Sequence, residues 1–305
     1  MDLTWPQGWG TPLHVHGRAR DLLTPVDGAP VVLAQASFDA KVAADRTVTA
    51  LTVDPPHEGA GGLVGAQGGG GFRRRLAEVL PEQVERGTPL HLLLDDVPGG
   101  TLIAGFAWSR WPEEGAALAR SRAAASRKMI GICSGFRPGS SALTADGTPQ
   151  HARHNVVPVP PLADAGDPWS WHDLPDLPAV ALRRARRIDV WQDGPDLVVD
   201  AMFRDSTLEP DGTPVGVHEY QLDAVADAAT GALRSLTAEP RVLPFPECPG
   251  AAPNAARLIG LPLTTLRREV LERLRSVDGC THLNDALRSL AEAPVLARAL
   301  VDAEP

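Results

Sequence analysis

Four side chains in the later half of this 305-residue sequence have the donor chemistry of a metal site: His218, Cys248, Cys280 and His282. Thiolate sulfur and imidazole nitrogen are the donors that suit zinc and iron. Cys280-Thr281-His282 follows Asp278-Gly279 and opens a predicted helix. Unpaired backbone N–H groups at such a position favour a thiolate. Cys248 lies in Pro246-Glu247-Cys248-Pro249-Gly250, a loop between a predicted strand and the next helix, and His218 sits mid-strand. Three elements are therefore expected to converge on one divalent ion, zinc or iron. If Cys248, Cys280 and His282 bind it and His218 acts as a base, a coordination position stays open, as catalysis requires. If His218 is a fourth ligand, the site is closed and structural. The spacing is neither a zinc-finger nor a CxxC pattern. It also fits a buried histidine bonded to backbone and two inert core cysteines.

Neighbouring polar groups extend the reading. Tyr220, the one tyrosine, shares a strand face with His218. It is placed as a general acid or an orienting hydroxyl beside the metal, although a half-buried aromatic would look the same. Glu219 points off that face. Cys133, in Gly131-Ile132-Cys133-Ser134-Gly135-Phe136, has no histidine nearby in the chain and reads as structural. His14 and His16 share a face but lack soft partners. Gly65–Gly71 lacks the Lys-Ser/Thr of a phosphate-binding loop, and no nucleophile elbow or dinucleotide fingerprint is present.

The elements that must position these groups occur twice. At an offset of 184, residues 20–40 fall on 204–224 with eight identities in 21 positions. Arg20-Asp21 meets Arg204-Asp205, Asp27-Gly28 meets Asp211-Gly212, Pro30-Val31 meets Pro214-Val215 and Asp39-Ala40 meets Asp223-Ala224. At an offset of 185, Leu51-Thr52 meets Leu236-Thr237 and Pro55 meets Pro240. Each copy is predicted to hold three strands (13–20, 30–41 and 48–53; 197–204, 214–225 and 233–238). Two helices follow (72–80 and 89–97; 263–274 and 281–290), their apolar residues three and four apart. The fold expected is α+β, two homologous pseudo-symmetric units spanning 1–110 and 181–305, each a small antiparallel sheet followed by helices. The segment 111–180 reads as an insertion, with an Ala/Arg-rich helix at 116–127 and a Gly- and Pro-rich linker at 139–165. Copy one has Ala34 in place of His218, Gly59–Gly71 where Cys248 would be, and Leu92–Leu94 near the place of Cys280 and His282. Any site thus belongs to copy two. Asp205 recurs as Asp21 in the copy without ligands, which points to a structural role.

Copy two resembles the NifU/IscU class of iron–sulfur scaffold domains over 218–290. The residues that carry this are the hairpin turn Asp227–Gly231, the loop from Cys248 into Pro249-Gly250-Ala251-Ala252, and the helix opening at Cys280-Thr281-His282. The resemblance implies a NifU/IscU-like fold and a metal or cluster at those residues. The scaffold's first cysteine is missing here, with His218 or Asp205 near its place, and its His-Cys order has become Cys-Thr-His. The chain also resembles an uncharacterised bacterial domain-of-unknown-function family. That likeness rests on Arg204-Asp205, His218-Glu219-Tyr220, Leu243-Pro244-Phe245-Pro246-Glu247-Cys248 and Gly279-Cys280-Thr281-His282-Leu283, and it implies no activity.

Composition narrows the classes. Apolar residues form 43% of the chain, enough for a packed core. A formal net charge of −9 is a poor start for gripping a phosphate backbone, so nucleic acid is not an expected partner. The cluster Arg183-Arg184-Ala185-Arg186-Arg187 is read as a solvated strand edge or a binder of an anionic ligand group. No window reaches the roughly 18 apolar residues of a membrane span, and the first residues carry no basic-then-apolar signal. The expectation is a cytoplasmic, metal-dependent enzyme acting on a small organic substrate by hydrolysis or lyase-type cleavage. Its alternatives are a metal or iron–sulfur carrier, and a cysteine nucleophile or sulfur acceptor without metal.

Overall fold

The computed structural model describes residues 1–124, 129–150, 155–164 and 166–302. Among the described residues nine strands run in chain order: β1 (Asp2–Thr4), β2 (Leu13–Leu23), β3 (Val31–Val42), β4 (Val48–Asp54), β5 (Val157–Pro158), β6 (Ala181–Asp193), β7 (Asp196–Leu208), β8 (Pro214–Asp227) and β9 (Leu233–Val242). The helices are α1 (Phe72–Val79), α2 (Pro81–Arg86), α3 (Pro89–Asp95), α4 (Val97–Ile103), α5 (Phe106–Ser109), α6 (Pro112–Ala124), α7 (Leu266–Arg273), α8 (Thr281–Ser289) and α9 (Ala293–Asp302). Short 3-10 segments join them, the longest at Cys248–Leu258. Among the described residues, no helix is long and apolar enough to cross a membrane.

The chain forms two compact units. Unit 1 holds Met1–Ala107, Pro160–Arg184 and Thr207–Gly212; unit 2 holds Trp108–Val159, Ala185–Ser206 and the chain from Thr213. The segment 111–180 is thus shared between the units. Of the Ala/Arg-rich stretch, 112–124 is helical and 125–127 lies outside the described residues, as do 151–154 and 165 of the linker.

Within unit 1, β1 lies antiparallel to β2 and to the start of β6, with Leu3 opposite Val15 and Leu182. β2, β3 and β4 continue as an antiparallel meander. Within unit 2, β8 follows β7 and pairs with β9 and with β5. The two meanders share their register. Phe38 faces Val53 and Ala40 faces Leu51; Leu222 faces Ala238 and Ala224 faces Leu236. Both pairings break at the same step, between Lys41 and Val42 and between Val225 and Ala226. Both continue into a loop whose glycine has positive φ, Gly65 (φ 89) and Gly260 (φ 87), each donating its N–H back to the first strand residue, Val48 or Leu233. Only a residue without Cβ enters that left-handed region cheaply.

Among the differences from the sequence expectation are the end of β9 and the arginine cluster. β9 runs through Pro240 to Val242 instead of ending before it. Proline is tolerated there because the pairing with β8 shifts between Glu219 and Tyr220, the residue opposite Pro240. The arginine cluster is not a solvated edge. Arg183 donates to both carboxylate oxygens of Asp2 (2.7 and 2.8 Å). Arg184 is buried 3.5 Å from Asp96. Arg186 donates to the Asp285 carbonyl and the Ser289 hydroxyl and lies over the Phe203 ring. Arg187 pairs with Asp189 at 2.6 Å. These guanidinium groups serve the fold.

The core of unit 2 follows from period-two alternation. Leu197, Val199, Ala201 and Phe203 of β7, with Tyr220, Leu222, Ala224 and Ala226 of β8, face one cluster. Leu283, Ala286, Leu287 and Leu290 bring the apolar face of α8 onto it, with Leu266 and Val270 of α7. On the opposite face of the strands, Arg204 clamps Glu219 through two hydrogen bonds (2.7 and 3.2 Å), both side chains buried. Arg204→Ala leaves Glu219 as a buried carboxylate with only the more distant Arg241 (3.9 Å). It should lower the stability by about 3–5 kcal/mol. Arg204→Met with Glu219→Leu should recover most of that loss; urea unfolding of the two variants and the unchanged protein measures both.

Candidate metal centre

The apolar stripes of β7 and β8 turn polar at their ends. Counting by twos from Phe203 reaches Asp205, and from Tyr220 reaches His218, so both point to the core side. Asp205 is fully buried, and His218 and His282 nearly so. The His218 Nδ1 lies 3.4 Å from Asp205 Oδ2. His282, in the first turn of α8, brings its Nε2 to 3.9 Å from the same oxygen. The two imidazole rings are stacked, with centroids 3.4 Å apart and planes 16° from parallel. Among the described residues, the set of His, Cys, Asp and Glu ligand atoms lying within 4.8 Å of one another is Asp205, His218 and His282.

This set corrects the ligands expected from the sequence. His218 and His282 come together, but Cys248 and Cys280 do not join them at that distance. The reason lies in His282. It meets Asp205 through Nε2 and Cys280 through Nδ1, whose distance to the Cys280 Sγ is 4.0 Å. The lone pairs of the two ring nitrogens diverge, so one ion cannot take both the carboxylate side and the thiol side of this ring. Asp205, read as structural because it recurs as Asp21, is the third member instead. Copy one explains the recurrence: Asp21 stands directly opposite Ala34 across the β2–β3 ladder. The carboxylate persists there, a methyl group replaces the imidazole, and burial alone pushes Asp21 up to about 6.

The thiols lie on the other side of His282. Cys280 is the N-cap of α8, and Cys248 opens its 3-10 segment, both buried in the unit 2 core. Helix starts place Thr88 and Leu90, rather than Leu92–Leu94, at the copy-one positions of Cys280 and His282. Cys248 has no counterpart, because the shorter segment Glu58–Leu63 matches only the end of Cys248–Leu258. Burial pushes the Cys280 thiol up, while the N–H of Leu283 and the Tyr220 hydroxyl pull the other way. Burial, and then the nearby Cys280, push Cys248 up as well. Tyr220 is fully buried, and burial followed by Cys280 holds its hydroxyl well above the usual phenol range. That hydroxyl lies against the Cys280 thiol without a well-formed hydrogen bond. Tyr220 therefore joins the thiols, not the carboxylate–imidazole set. Glu219, off the His218 face as expected, is held by Arg204. His16 pairs with Asp39 at 2.8 Å.

Residues 182–296 match the model of a family described as Protein of unknown function (DUF2889). The match spans the second meander, Asp205, both imidazoles, Cys248 and Cys280, and leaves copy one and Cys133 outside it. No curated protein and no solved structure matches the chain.

Two outcomes follow from the burial of these groups. Tyr220→Phe removes a hydroxyl that has no good partner, so stability should stay within about 1 kcal/mol or rise. A loss above about 2 kcal/mol in urea unfolding would mean that the hydroxyl is bonded. Alkylation of the folded, metal-free protein should label the half-buried Cys133 before the two buried thiols. Burial and Cys280 push Cys133 up to about 11. Its rate should therefore climb with pH through the alkaline range up to that value, and peptide mapping reads the order.

Proposed function

We propose that the protein is a metal-dependent enzyme acting on a small organic substrate, with a divalent ion, zinc or iron, held by Asp205, His218 and His282. The observation that supports this most directly is the mutual approach of those three buried ligand atoms within 4.8 Å. Two imidazoles and one carboxylate are donors for zinc and for iron(II), and three protein ligands leave positions open. Such an ion supplies Lewis acidity or lowers the pKa of a water molecule, chemistry that serves hydrolysis and lyase-type cleavage alike. The chain's own residues do the rest. If His282 ligates through Nε2, its Nδ1 keeps the proton and faces the Cys280 sulfur, which fixes tautomer and ring orientation. Cys280 is then a positioning residue. Tyr220, whose hydroxyl burial holds well above the usual phenol range, stays protonated and serves as a donor hydroxyl. Neither nucleic acid nor a membrane is a partner in this reading, and a reducing cytoplasm keeps the three cysteines as thiols.

The stacked rings set a condition on loading. The rings lie face to face with centroids 3.4 Å apart, whereas the lone pair of each ring nitrogen lies in its own ring plane. To hold a shared ion, the two rings would have to splay.

A second reading has one specific support. Cys280 Sγ, His282 Nδ1, His282 Nε2 and Asp205 Oδ2 form a line with gaps of 4.0 and 3.9 Å. That is the order of a thiol nucleophile, its base and the group that orients the base.

Metal analysis separates the two. The metal-dependent enzyme should bind about one zinc or iron(II) per chain at this centre. Asp205→Asn should weaken that binding by 10-fold or more, whereas Cys280→Ser should weaken it far less. Affinity should fall as the pH drops, because protons compete for imidazole and carboxylate. Unchanged metal content in Asp205→Asn would overturn the ligand set. Fast alkylation of Cys280 in metal-free protein, abolished in His282→Ala, would favour the nucleophile.

A further inference from the structure

We propose that the open edge of β3 at Val31–Leu33 docks a second copy of this chain, the two edges pairing antiparallel about a two-fold axis at Val32. This goes beyond the carboxylate–imidazole centre and does not depend on it. The docking residues all belong to unit 1.

β3 pairs with β2 from Val31 to Val42, but β4 joins its other side only from Ser37, which faces Asp54. Pro55 and Pro56 come next and have no N–H with which to carry that ladder further. The outer side of β3 before Ser37 therefore meets no strand among the described residues. Such an edge is a template for another strand unless charge or proline blunts it. Val31-Val32-Leu33-Ala34-Gln35-Ala36 holds neither. The β2–β3 pairing shifts between Asp21 and Leu22, and the extra residue on β3 is Leu33. That bulge interrupts the alternation of faces, and three consecutive apolar side chains stand out into solvent.

The second meander shows what such an edge takes. At the offset of 184, Val31, Val32 and Leu33 fall on Val215, Gly216 and Val217 of β8. There β5 lies antiparallel along the edge, with Val157 opposite Gly216 and Pro158 opposite Val215. The Val159 N–H donates to the Pro214 carbonyl, and the Asn155 N–H to that of Pro244. The covered residues Val215 and Val217 are 3% and 1% exposed, whereas Val31 and Leu33 are 51% and 45% exposed. The cover is thus an extended, antiparallel, uncharged and β-branched segment.

β3 of a second copy meets each of those terms. Two identical edges related by a two-fold axis run antiparallel, and the contact closes on itself as a dimer. With the axis at Val32, that residue faces its own equivalent and Val31 faces Leu33, so every side chain of the contact is apolar. The side chain at position 32 also separates the two edges. A Cβ on Gly216 would lie 2.7 Å from the Val159 side chain, so the second meander has room only for a strap folded onto glycine. The first meander instead presents the Val32 side chain, 46% exposed, as an apolar knob. An edge contact of this length falls in the weak class, below about 1,200 Å² of buried surface.

Sedimentation velocity on the full chain, from about 1 to 200 µM, tests this in the range where weak contacts exchange. The protein should pass from monomer to dimer. Val32→Lys and Val32→Glu each place like charges opposite one another, and each should weaken the dimer by 10-fold or more. Mixed in equal amounts, the two variants should associate again, because opposite charges then meet across the axis. A chain that stays monomeric throughout overturns the proposal; if it nevertheless binds the peptide Asn-Val-Val-Pro-Val, the sequence of 155–159, the edge serves a partner's segment instead. A dimer that neither variant weakens, or variants that do not recover on mixing, also overturn it. Should either variant fold poorly, hydrogen exchange of the unchanged protein decides. The amides of 31–33 should exchange more slowly at the high concentration than at the low one, and equal rates overturn the second copy.

Discussion

A carboxylate taken out of water needs donors or positive charge around it, and the later half of this chain is arranged around one such group. Asp205 is fully buried at the end of an apolar stripe. Strand alternation leaves it no other direction. Once Leu197, Val199, Ala201 and Phe203 face the core, Asp205 must follow them inward. The neighbouring Arg204 cannot help, because it points to the opposite face and holds Glu219 there. Compensation comes from the core side, as His218 from the adjacent strand and His282 from the first turn of α8. Two ionisable rings stacked against a buried acid are costly to keep for stability alone. That cost is the physical ground for reading the cluster as a site.

The first meander shows what the same framework does without the imidazoles. Its ladder has the same register and the same bulge position as the second. Yet Asp21 faces Ala34, and its carboxyl drifts up to about 6, towards the neutral form, under burial alone. The two meanders share an offset in sequence and an equal register in their ladders. The copies then differ in length where chemistry sits. The 3-10 segment of the second is extended at its start by the turn that carries Cys248.

Strands and helices were legible because alternation and three-to-four spacing are local properties. Alternation between turn residues placed β2 to β4 and β7 to β9. β6 was less legible: its arginines look solvent-facing in one dimension, and only the fold supplies Asp2, Asp96 and the α8 groups that hold them. At the site, His218 and His282 were legible as ligand types, and their shared centre was not. Asp205 was discounted because its repeat partner has no ligands around it. The parity of β7 carried the opposite signal, since it places Asp205 on the side of Phe203. Cys133 was set aside for want of a histidine nearby in the chain. The segment after it is held to Glu247 through Ser134 and Ser141, more than a hundred residues away in the chain, and no local pattern announces such a contact.

His282 is where the two donor sets meet, and its tautomer links them. One nitrogen faces Asp205 and the other faces Cys280. A cation on the Nε2 side forces the ring proton onto Nδ1, where it points at sulfur and favours the thiolate. A thiolate at Cys280 in turn holds the proton on Nδ1 and leaves the Nε2 lone pair free for a cation. If the proposed cation binds there, it and a Cys280 thiolate would favour each other through a single proton, and by linkage the preference would be equal in both directions. The ring stack opposes loading on the Nε2 side, since an in-plane bond requires His282 to swing away from His218. That swing carries Nδ1 with it. The 4.0 Å gap to Cys280 and the 3.9 Å gap to Asp205 are consequently not independent distances: a ring pinned at one end by sulfur has only the remaining rotation with which to meet an ion at the other.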